Sequence, residues 1–127
     1  MKREELPNDI RRFVQANIPS VPYIEALLLL RREAATVWRA SELAQRIYVS
    51  ETQAAWLLKS LEEAGIAAKT GDDPQLYRYQ PPEQLAAMLD QVAQHYASNL
   101  LAVTDLIHSG LNRRAAQFAD AFRIRKD

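Results

Sequence analysis

The chain has 127 residues, of which 48% are hydrophobic and 25% are charged, and its sixteen basic and sixteen acidic side chains leave no formal net charge. These proportions are typical of one soluble globular domain with a substantial core, and they argue against intrinsic disorder. The sequence contains no cysteine. Disulfides and thiolate metal sites are therefore excluded, and a cytoplasmic location is the simplest expectation.

No membrane association is expected. Residues 1–5 are mostly charged and do not resemble the start of a secretory signal. The longest apolar run, residues 26–30, is far shorter than the roughly 20 residues that a membrane-spanning helix needs.

The N-terminal part of the chain predicts two helices and a short strand. The first helix covers residues 9–16, and its buried face is expected to contain Ile10, Phe13 and Val14. The second helix follows the capping residue Ser20 and runs to about residue 34. Residues 36–38 are β-branched and aromatic, and they predict a short strand that pairs with a later hairpin.

Residues 40–64 predict a helix-turn-helix. The first helix covers residues 41–47 and the second covers residues 51–64. Ser50 is placed to cap the second helix, and Gly65 can adopt the left-handed conformation that ends it. Apolar residues recur in the second helix at spacings of three and four, which predicts one buried stripe. Its members are Ala54, Leu57 or Leu58, Leu61 and Ala64.

The next segment predicts a two-stranded wing. Ile66 begins a first extended stretch, and residues 71–74 have the composition of a turn. Residues 76–79 are then expected to form the second strand of the hairpin. The alternation of tyrosine and arginine in the returning strand is typical of a half-buried strand.

The order of residues in the second helix and its exit resembles a known family. The residues that carry the resemblance are Ser50, Gln53, Ala54, Ala55, Leu58, Leu61, Glu62, Gly65 and Ile66. They are similar to the recognition helix of winged helix-turn-helix bacterial transcription regulators, of the multiple-antibiotic-resistance-repressor and small metal-sensor-repressor types. The resemblance covers about residues 22–81. It implies a second helix that enters the DNA major groove and a wing beside the phosphate backbone.

The resemblance also implies which residues contact DNA. Carried over by position, they are Ser50, Glu51, Gln53, Ala55, Trp56 and Lys59 on the helix, with Lys69 and Arg78 on the wing. Two of them depart from the family pattern. Trp56 stands where an arginine or another polar residue is common, and Glu51 would repel phosphates.

The charge of the module points to an alternative. Residues 40–81 contain four lysine or arginine residues and six aspartate or glutamate residues, so the module alone would bind DNA weakly. Tryptophan on a helix face often packs against protein. A protein-interaction adaptor with Trp56 as its docking anchor, and with no DNA binding, therefore stays open as an alternative.

Residues 83–108 predict one long helix without a break. Its apolar stripe consists of Leu85, Leu89, Val92, Tyr96, Leu100, Val103 and Ile107. The helix either folds back over the N-terminal helices or pairs with its copy in a second subunit. We favour the second interpretation, since regulators of this type commonly dimerise through terminal helices. A dimer would also present two recognition helices about 34 Å apart.

The C-terminal segment predicts a short basic helix after a turn at residues 109–112. Its basic residues are Arg113, Arg114, Arg123, Arg125 and Lys126. They either contact DNA phosphates or offset the helix dipole and keep the chain end soluble.

No catalytic or cofactor site is predicted. His95 and His108 stand about 20 Å apart along the predicted long helix, and no glycine-rich phosphate loop is present. We therefore expect no enzyme activity, no metal and no cofactor. A third possibility is a ligand-responsive regulator with a small apolar pocket near Tyr96 or Trp38.

The sequence thus predicts a mostly α-helical protein with a small β wing. A winged helix-turn-helix at residues 21–81 is flanked by an N-terminal helical extension at residues 1–20. Residues 82–127 form the long dimerisation helix and the basic C-terminal helix. The predicted function is that of a homodimeric, cytoplasmic bacterial regulator that binds double-stranded DNA, with a protein partner as the alternative.

Overall fold

The structure is a computed structural model, and it describes residues 6–71 and 75–109. In these ranges the chain forms six helices and one antiparallel pair of strands. The elements are α1 (Asn8–Asn17), α2 (Val21–Arg32), α3 (Ala40–Ile47), α4 (Glu51–Glu63), β1 (Ala67–Lys69), β2 (Tyr77–Tyr79), α5 (Glu83–Ser98) and α6 (Leu100–Ser109). The predicted mostly helical architecture with a small β wing is confirmed.

The contacts divide the chain into two compact units. One unit is the continuous segment Pro22–Asp90, which contains the helix-turn-helix and the wing. The other combines the described residues up to Val21 with those from Gln91 onward. The division falls inside α5, whereas the sequence placed domain boundaries after residues 20 and 81, and those boundaries remain predictions.

The helix α1 has the amphipathic character expected of it. Ile10 and Val14 are fully buried, and Phe13 is half-buried. The spacing of four between the two buried residues places them on one face of the helix. The helix ends at Asn17, and the backbone amide of the C-cap residue Ile18 donates to the carbonyl of Val14 over 3.0 Å.

The helix α2 supplies much of the core of the central unit. Its side chains Ile24, Leu27 and Leu30 are completely buried. The helix ends two residues earlier than predicted, because the chain turns at Glu33, whose carbonyl accepts a hydrogen bond from Thr36 over 2.9 Å. Near this end, Arg31 Nε donates to Asp90 Oδ1 over 2.8 Å, which joins α2 to the first half of α5.

The helix-turn-helix forms as predicted. Ser50 caps α4, because its Oγ accepts a hydrogen bond from the Gln53 amide over 3.0 Å. Gly65 follows the helix with φ of 80°, a left-handed conformation that a residue without a β-carbon adopts easily. The buried face of α4 consists of Ala54, Leu57, Leu58 and Leu61. Ala64 was expected to belong to it but is exposed at the C-cap.

The wing is an antiparallel hairpin, and a single β-bridge joins it to Trp38. Ala67 pairs with Tyr79, and Lys69 pairs with Tyr77. On the other edge of β2, the backbone of Trp38 exchanges hydrogen bonds of 2.7 and 3.0 Å with Tyr77. The expectation that residues 36–38 pair with the hairpin is therefore confirmed at Trp38. Three residues of the predicted turn, 72–74, lie outside the described residues.

The predicted long helix is two helices. The helix α5 ends at Ser98, and α6 begins at Leu100. Ser98 Oγ donates to the Gln94 carbonyl over 3.0 Å, and Thr104 Oγ1 donates to the Leu100 carbonyl over 2.9 Å. A serine or threonine hydroxyl that donates to the carbonyl of the preceding turn competes with the backbone amides for that carbonyl, and such bonds often bend helices. The break at Asn99 lies between these two sites.

No single one of the described helices is long and apolar enough to span a membrane, although the consecutive α1 and α2 reach that length and composition when they are taken together. The predicted basic C-terminal helix, with its five cationic residues, lies outside the described part of the chain.

Candidate nucleic-acid interface

The helix α4 has one buried face and one face that the rest of the chain leaves uncovered. All six residues that the resemblance assigned to DNA contact here are exposed: Ser50, Glu51, Gln53, Ala55, Trp56 and Lys59. Thr52 is exposed as well. At 100° per residue, Thr52 lies close to the middle of the exposed face, opposite the buried leucines. The sequence prediction omitted Thr52, although the helical spacing alone could have placed it there.

Trp56 is the largest side chain on this face. It is 57% exposed, so its indole ring does not belong to the core of the helix-turn-helix. Ala55 and Lys59, its neighbours on the helix, are also exposed. An aromatic ring in this position can contact a thymine methyl group or a base edge, and it can equally enter a pocket on a partner protein.

The exposed residues of α4 do not all point in one direction. Glu51 and Ala55 line an open groove with a volume of about 740 Å³. The groove lies between the start of α3, the first two turns of α4 and the beginning of β2. It is lined by Arg39, Ala40, Ser41, Glu51, Thr52, Ala55, Leu58, Gln75 and Tyr77. Gln53, Trp56 and Lys59 are outside this lining, so the predicted contact set divides into two groups.

The separation of Glu51 from Gln53 has a geometric cause. Residues two apart on a helix differ by about 200°, so Glu51 and Gln53 point to nearly opposite sides of α4. A duplex that contacted Gln53, Trp56 and Lys59 would meet Glu51 only at the edge of the interface. The carboxylate that was expected to repel phosphates therefore lies mainly toward the wing.

The two cations of the wing lie on opposite faces of the hairpin. Lys69 is the cross-strand partner of Tyr77, while Arg78 is the partner of Ala68. Successive side chains in a strand point to opposite faces. Lys69 therefore shares the face that carries Tyr77 and Tyr79, and Arg78 projects from the other face. Both are exposed.

Arg46, the cation of α3, is occupied within the protein. Its Nη1 donates to Glu33 Oε1 over 3.2 Å, and its Nη2 pairs with the second oxygen of the same carboxylate. The guanidinium carbon also lies 5.5 Å from the centroid of the Trp38 ring. The hydrogen bond from Arg46 lowers the pKa of Glu33 and raises that of Arg46. Charge counting along the sequence treats Arg46 as unpaired, but its charge is balanced by the carboxylate of Glu33.

Tyr48, in the turn between α3 and α4, was not singled out by sequence reasoning. It is 92% exposed, and its backbone has φ of 60° and ψ of 48°. Positive φ is unfavourable for a side chain with a β-carbon and is rare for a bulky one. A tyrosine two residues before a serine cap gives no signal of such a conformation in sequence.

Burial perturbs one side chain beneath the wing. The Tyr79 hydroxyl is buried, and no described residue supplies a hydrogen-bond partner for it. Burial raises the pKa of Tyr79, with a further increase from the charge of Asp90. The surrounding structure therefore favours the neutral phenol, which fits a role in packing.

The apolar stripe of α5 and α6 is partly covered within the single chain. Leu89, Val92, Val103 and Ile107 are buried, and Leu85 and Tyr96 are half-buried. Leu100 is 49% exposed, and the adjacent Leu101, which the stripe did not include, is 62% exposed. The buried residues have almost no surface left to offer to a second copy. Within this stripe, a dimer contact could involve only the less buried residues, which are Leu85, Tyr96 and Leu100.

Within the described ranges, no group of three or more histidine, cysteine, aspartate or glutamate side chains could hold a metal ion. His108 is exposed and His95 is half-buried on the preceding helix. The recognisable functional geometry is therefore that of α4, the groove and the wing, which together define a winged helix-turn-helix.

Comparison with known proteins adds structural neighbours. No family model matches the chain, and no curated protein matches it. Among solved structures it is similar to a mutant of Lactococcus lactis ZitR, with a TM-score of 0.48 and 14% identity over 100% of this chain and 82% of the other. A second ZitR mutant, in its apo form, has a TM-score of 0.48 and 17% identity, over 98% of this chain and 100% of the other. The adhesin competence repressor AdcR from Streptococcus pyogenes has a TM-score of 0.48 and 16% identity, over 94% of this chain and 91% of the other.

Proposed function

We propose that the protein is a DNA-binding transcriptional regulator that places α4 in the major groove of duplex DNA. The observation that carries this proposal is the free face of α4 beside the wing. Gln53, Trp56 and Lys59 are exposed on the same part of this face, while the opposite face is fixed in the core by buried leucines. A helix anchored in this way presents its side chains rigidly, as base reading requires.

Each of the three residues has a distinct role in the proposal. The Gln53 amide can form a bidentate pair with N6 and N7 of adenine. The Trp56 ring supplies apolar contact to a thymine methyl group. Lys59 reaches the phosphate backbone, where it fixes the register of the helix without reading sequence.

The available charge sets the expected strength of binding. With Arg46 held by Glu33, the exposed cations of α4 and the wing are Lys59, Lys69 and Arg78. Each neutralised phosphate contributes about −0.9 to the slope of log affinity against log salt. Because Lys69 and Arg78 lie on opposite faces, we expect only one of them to contact DNA. The slope per subunit from this module is then about −2.

The proposal includes a homodimer and a cytoplasmic location. Two copies would present two α4 helices to half-sites about 34 Å apart on one face of the duplex. The surface for self-association is proposed to involve Tyr96 and Leu100, members of the predicted stripe that the chain leaves partly exposed. Dimerisation would double the number of phosphate contacts and offset the weak charge of a single module.

The test is fluorescence anisotropy of a labelled random-sequence duplex, titrated with the protein at two salt concentrations. Binding that weakens with salt is expected, and selection from a random pool should then yield a two-fold symmetric site. On that site, Gln53→Ala should weaken binding by about tenfold or more. Gln45→Ala is the matched control, because Gln45 is exposed on α3 rather than α4. Absence of binding at low salt would refute the proposal.

A second candidate function is protein docking through Trp56. It is favoured by the 57% exposure of the indole ring and by the carboxylate of Glu63, which is exposed on the same side of the helix two turns further on. An interface of this kind would suit a partner with a hydrophobic pocket rimmed by basic residues. It predicts no DNA binding, and loss of partner binding in Trp56→Ala but not in Gln45→Ala.

A further inference from the structure

Tyr48 combines a strained backbone with a side chain that the fold does not use. Among the described residues it is the one non-glycine position with positive φ, at 60°. The conformation is held firmly, because the amides of Tyr48 and Val49 both donate to the carbonyl of Ala44, the latter over 3.2 Å. This pairing closes α3 and sets the direction in which the chain enters α4.

The strain is not offset by packing. The Tyr48 side chain is 92% exposed, so its ring contributes almost no burial to folding. A glycine at this position would adopt the same φ and ψ without a steric penalty. The fold alone therefore favours glycine, and the phenol has to be explained by something outside the folded chain. Residues held in strained conformations at a cost to stability are concentrated at functional sites.

The position of Tyr48 indicates what it contacts. It precedes Ser50, the N-cap of α4, by two residues. When a helix lies in the major groove, the turn before it and the end of the preceding helix face the phosphate backbone that borders the groove. Tyrosine hydroxyl groups are among the side-chain donors that bind phosphate oxygens there.

We propose that the Tyr48 hydroxyl donates a hydrogen bond to a DNA phosphate at the edge of the groove that α4 occupies, so that Tyr48 is a positioning contact for the recognition helix. This inference rests on the proposed DNA binding. It assigns a phosphate contact to a turn that contains no cation of its own, next to an Arg46 whose charge is balanced by Glu33.

An uncharged donor has a distinctive consequence. Counterions are released when a cation neutralises a phosphate, and this release makes binding salt-dependent. A phenol adds affinity without neutralising a phosphate. Loss of the Tyr48 hydroxyl should therefore weaken binding equally at every salt concentration, whereas loss of a lysine should weaken binding most at low salt.

The test uses two substitutions on the full chain. Tyr48→Phe keeps the ring and the strained backbone but removes the donor. It should bind the random-sequence duplex about tenfold more weakly than the unmodified protein, with an unchanged salt slope and an unchanged melting temperature. Tyr48→Gly removes the strain as well, so it should melt at a higher temperature than the unmodified protein while binding DNA as weakly as Tyr48→Phe. The reference is Lys59→Gln, which should reduce the salt slope by about 1.

The possible failures are distinguishable. If the unmodified protein does not bind duplex DNA, the proposed function itself fails and the inference fails with it. If the unmodified protein binds and Tyr48→Phe binds equally well, the phosphate contact alone is refuted. If Tyr48→Gly melts at a lower temperature than the unmodified protein, the ring stabilises the fold, and the argument from strain is overturned.

Discussion

The guanidinium carbon of Arg46 lies 5.5 Å from the centroid of the Trp38 indole ring. The same guanidinium is paired with the carboxylate of Glu33. Trp38 is almost completely buried, so Arg46 covers an aromatic ring at the edge of the core while its charge is balanced at the end of α2. Arg46 is therefore part of the contact between the end of α2, Trp38 and α3.

We therefore predict that Arg46 acts on stability rather than on DNA affinity. Arg46→Gln loses both the ion pair and the contact with the ring, so its melting temperature should fall by a few degrees. The salt dependence of DNA binding should stay unchanged, because Arg46 neutralises no phosphate. Thermal melting and anisotropy at two salt concentrations measure the two effects. A reduced salt slope in this variant would contradict the assignment.

Glu33 should contribute to stability above its ordinary pKa of 4.5. The hydrogen bond from Arg46 lowers the pKa of Glu33 in the folded state, so the unfolded chain takes up its proton first as the pH falls. The contribution is present above the ordinary pKa and is lost as the pH falls through the folded-state value. Urea unfolding between about pH 3 and pH 6 should therefore show a shallower pH dependence in Glu33→Gln. Glu63→Gln, at an exposed position on α4, is the control.

Ser50 should stabilise the helix-turn-helix through its cap. Its Oγ accepts the Gln53 amide over 3.0 Å, and Ser50→Ala should lower the free energy of unfolding by about 1 kcal/mol. Ser50→Asp restores an acceptor at the N-terminus of α4 and should recover most of that loss. Chemical denaturation of the three proteins gives the comparison. Equal stability of the alanine and serine forms would show that the cap is not needed.

Gly65 provides a test in which only the backbone matters. A β-carbon at this position would meet nothing within 4 Å, but φ is 80°. Gly65→Ala should therefore destabilise the protein by about 1 kcal/mol through the left-handed conformation alone. Asparagine tolerates this region better than alanine, so Gly65→Asn should be intermediate. If alanine were as stable as glycine in denaturant unfolding, the left-handed exit from α4 would be in doubt.

Self-association should depend on the start of α6. Leu100 is 49% exposed and lies in the stripe that predicts a dimer. Leu100→Glu should shift the protein toward the monomer in analytical ultracentrifugation, because it places a charge in the proposed interface. Ala87→Glu adds the same charge at an exposed site on α5 and should have no effect. A dimer that survives Leu100→Glu would place the interface elsewhere.

Local signals account for most of what the sequence predicted correctly. Ser50 marks the start of α4 through its capping hydrogen bond, and Gly65 marks the end through its left-handed backbone. Both features depend only on residues nearby in the chain, and the structure has both helix ends at these positions. The pairing of Trp38 with the wing was also predicted, from its β-branched and aromatic surroundings. The engagement of Arg46 could not be predicted, because Glu33 stands thirteen residues earlier in the chain.

The break at Asn99 shows a different limit. The segment from residue 83 to residue 108 contains neither glycine nor proline, so helical periodicity continued through it without interruption. The hydroxyl groups of Ser98 and Thr104 bond back to the preceding turn, and such bonds depend on side-chain rotamers that a sequence pattern does not determine. The left-handed backbone of Tyr48 is equally invisible in the sequence, because a tyrosine gives no local signal for a positive φ.

The double pairing of Tyr77 has a mechanical consequence. Its strand is bonded to β1 on one edge, and its own backbone is bonded to Trp38 on the other. Trp38 is followed directly by Arg39, the N-cap of α3. A force that tilts the hairpin is therefore transmitted through two hydrogen bonds to the first turn of α3, and through α3 to the helix packed against it. The wing is thus linked to the start of α3 by backbone hydrogen bonds and not by side-chain packing alone.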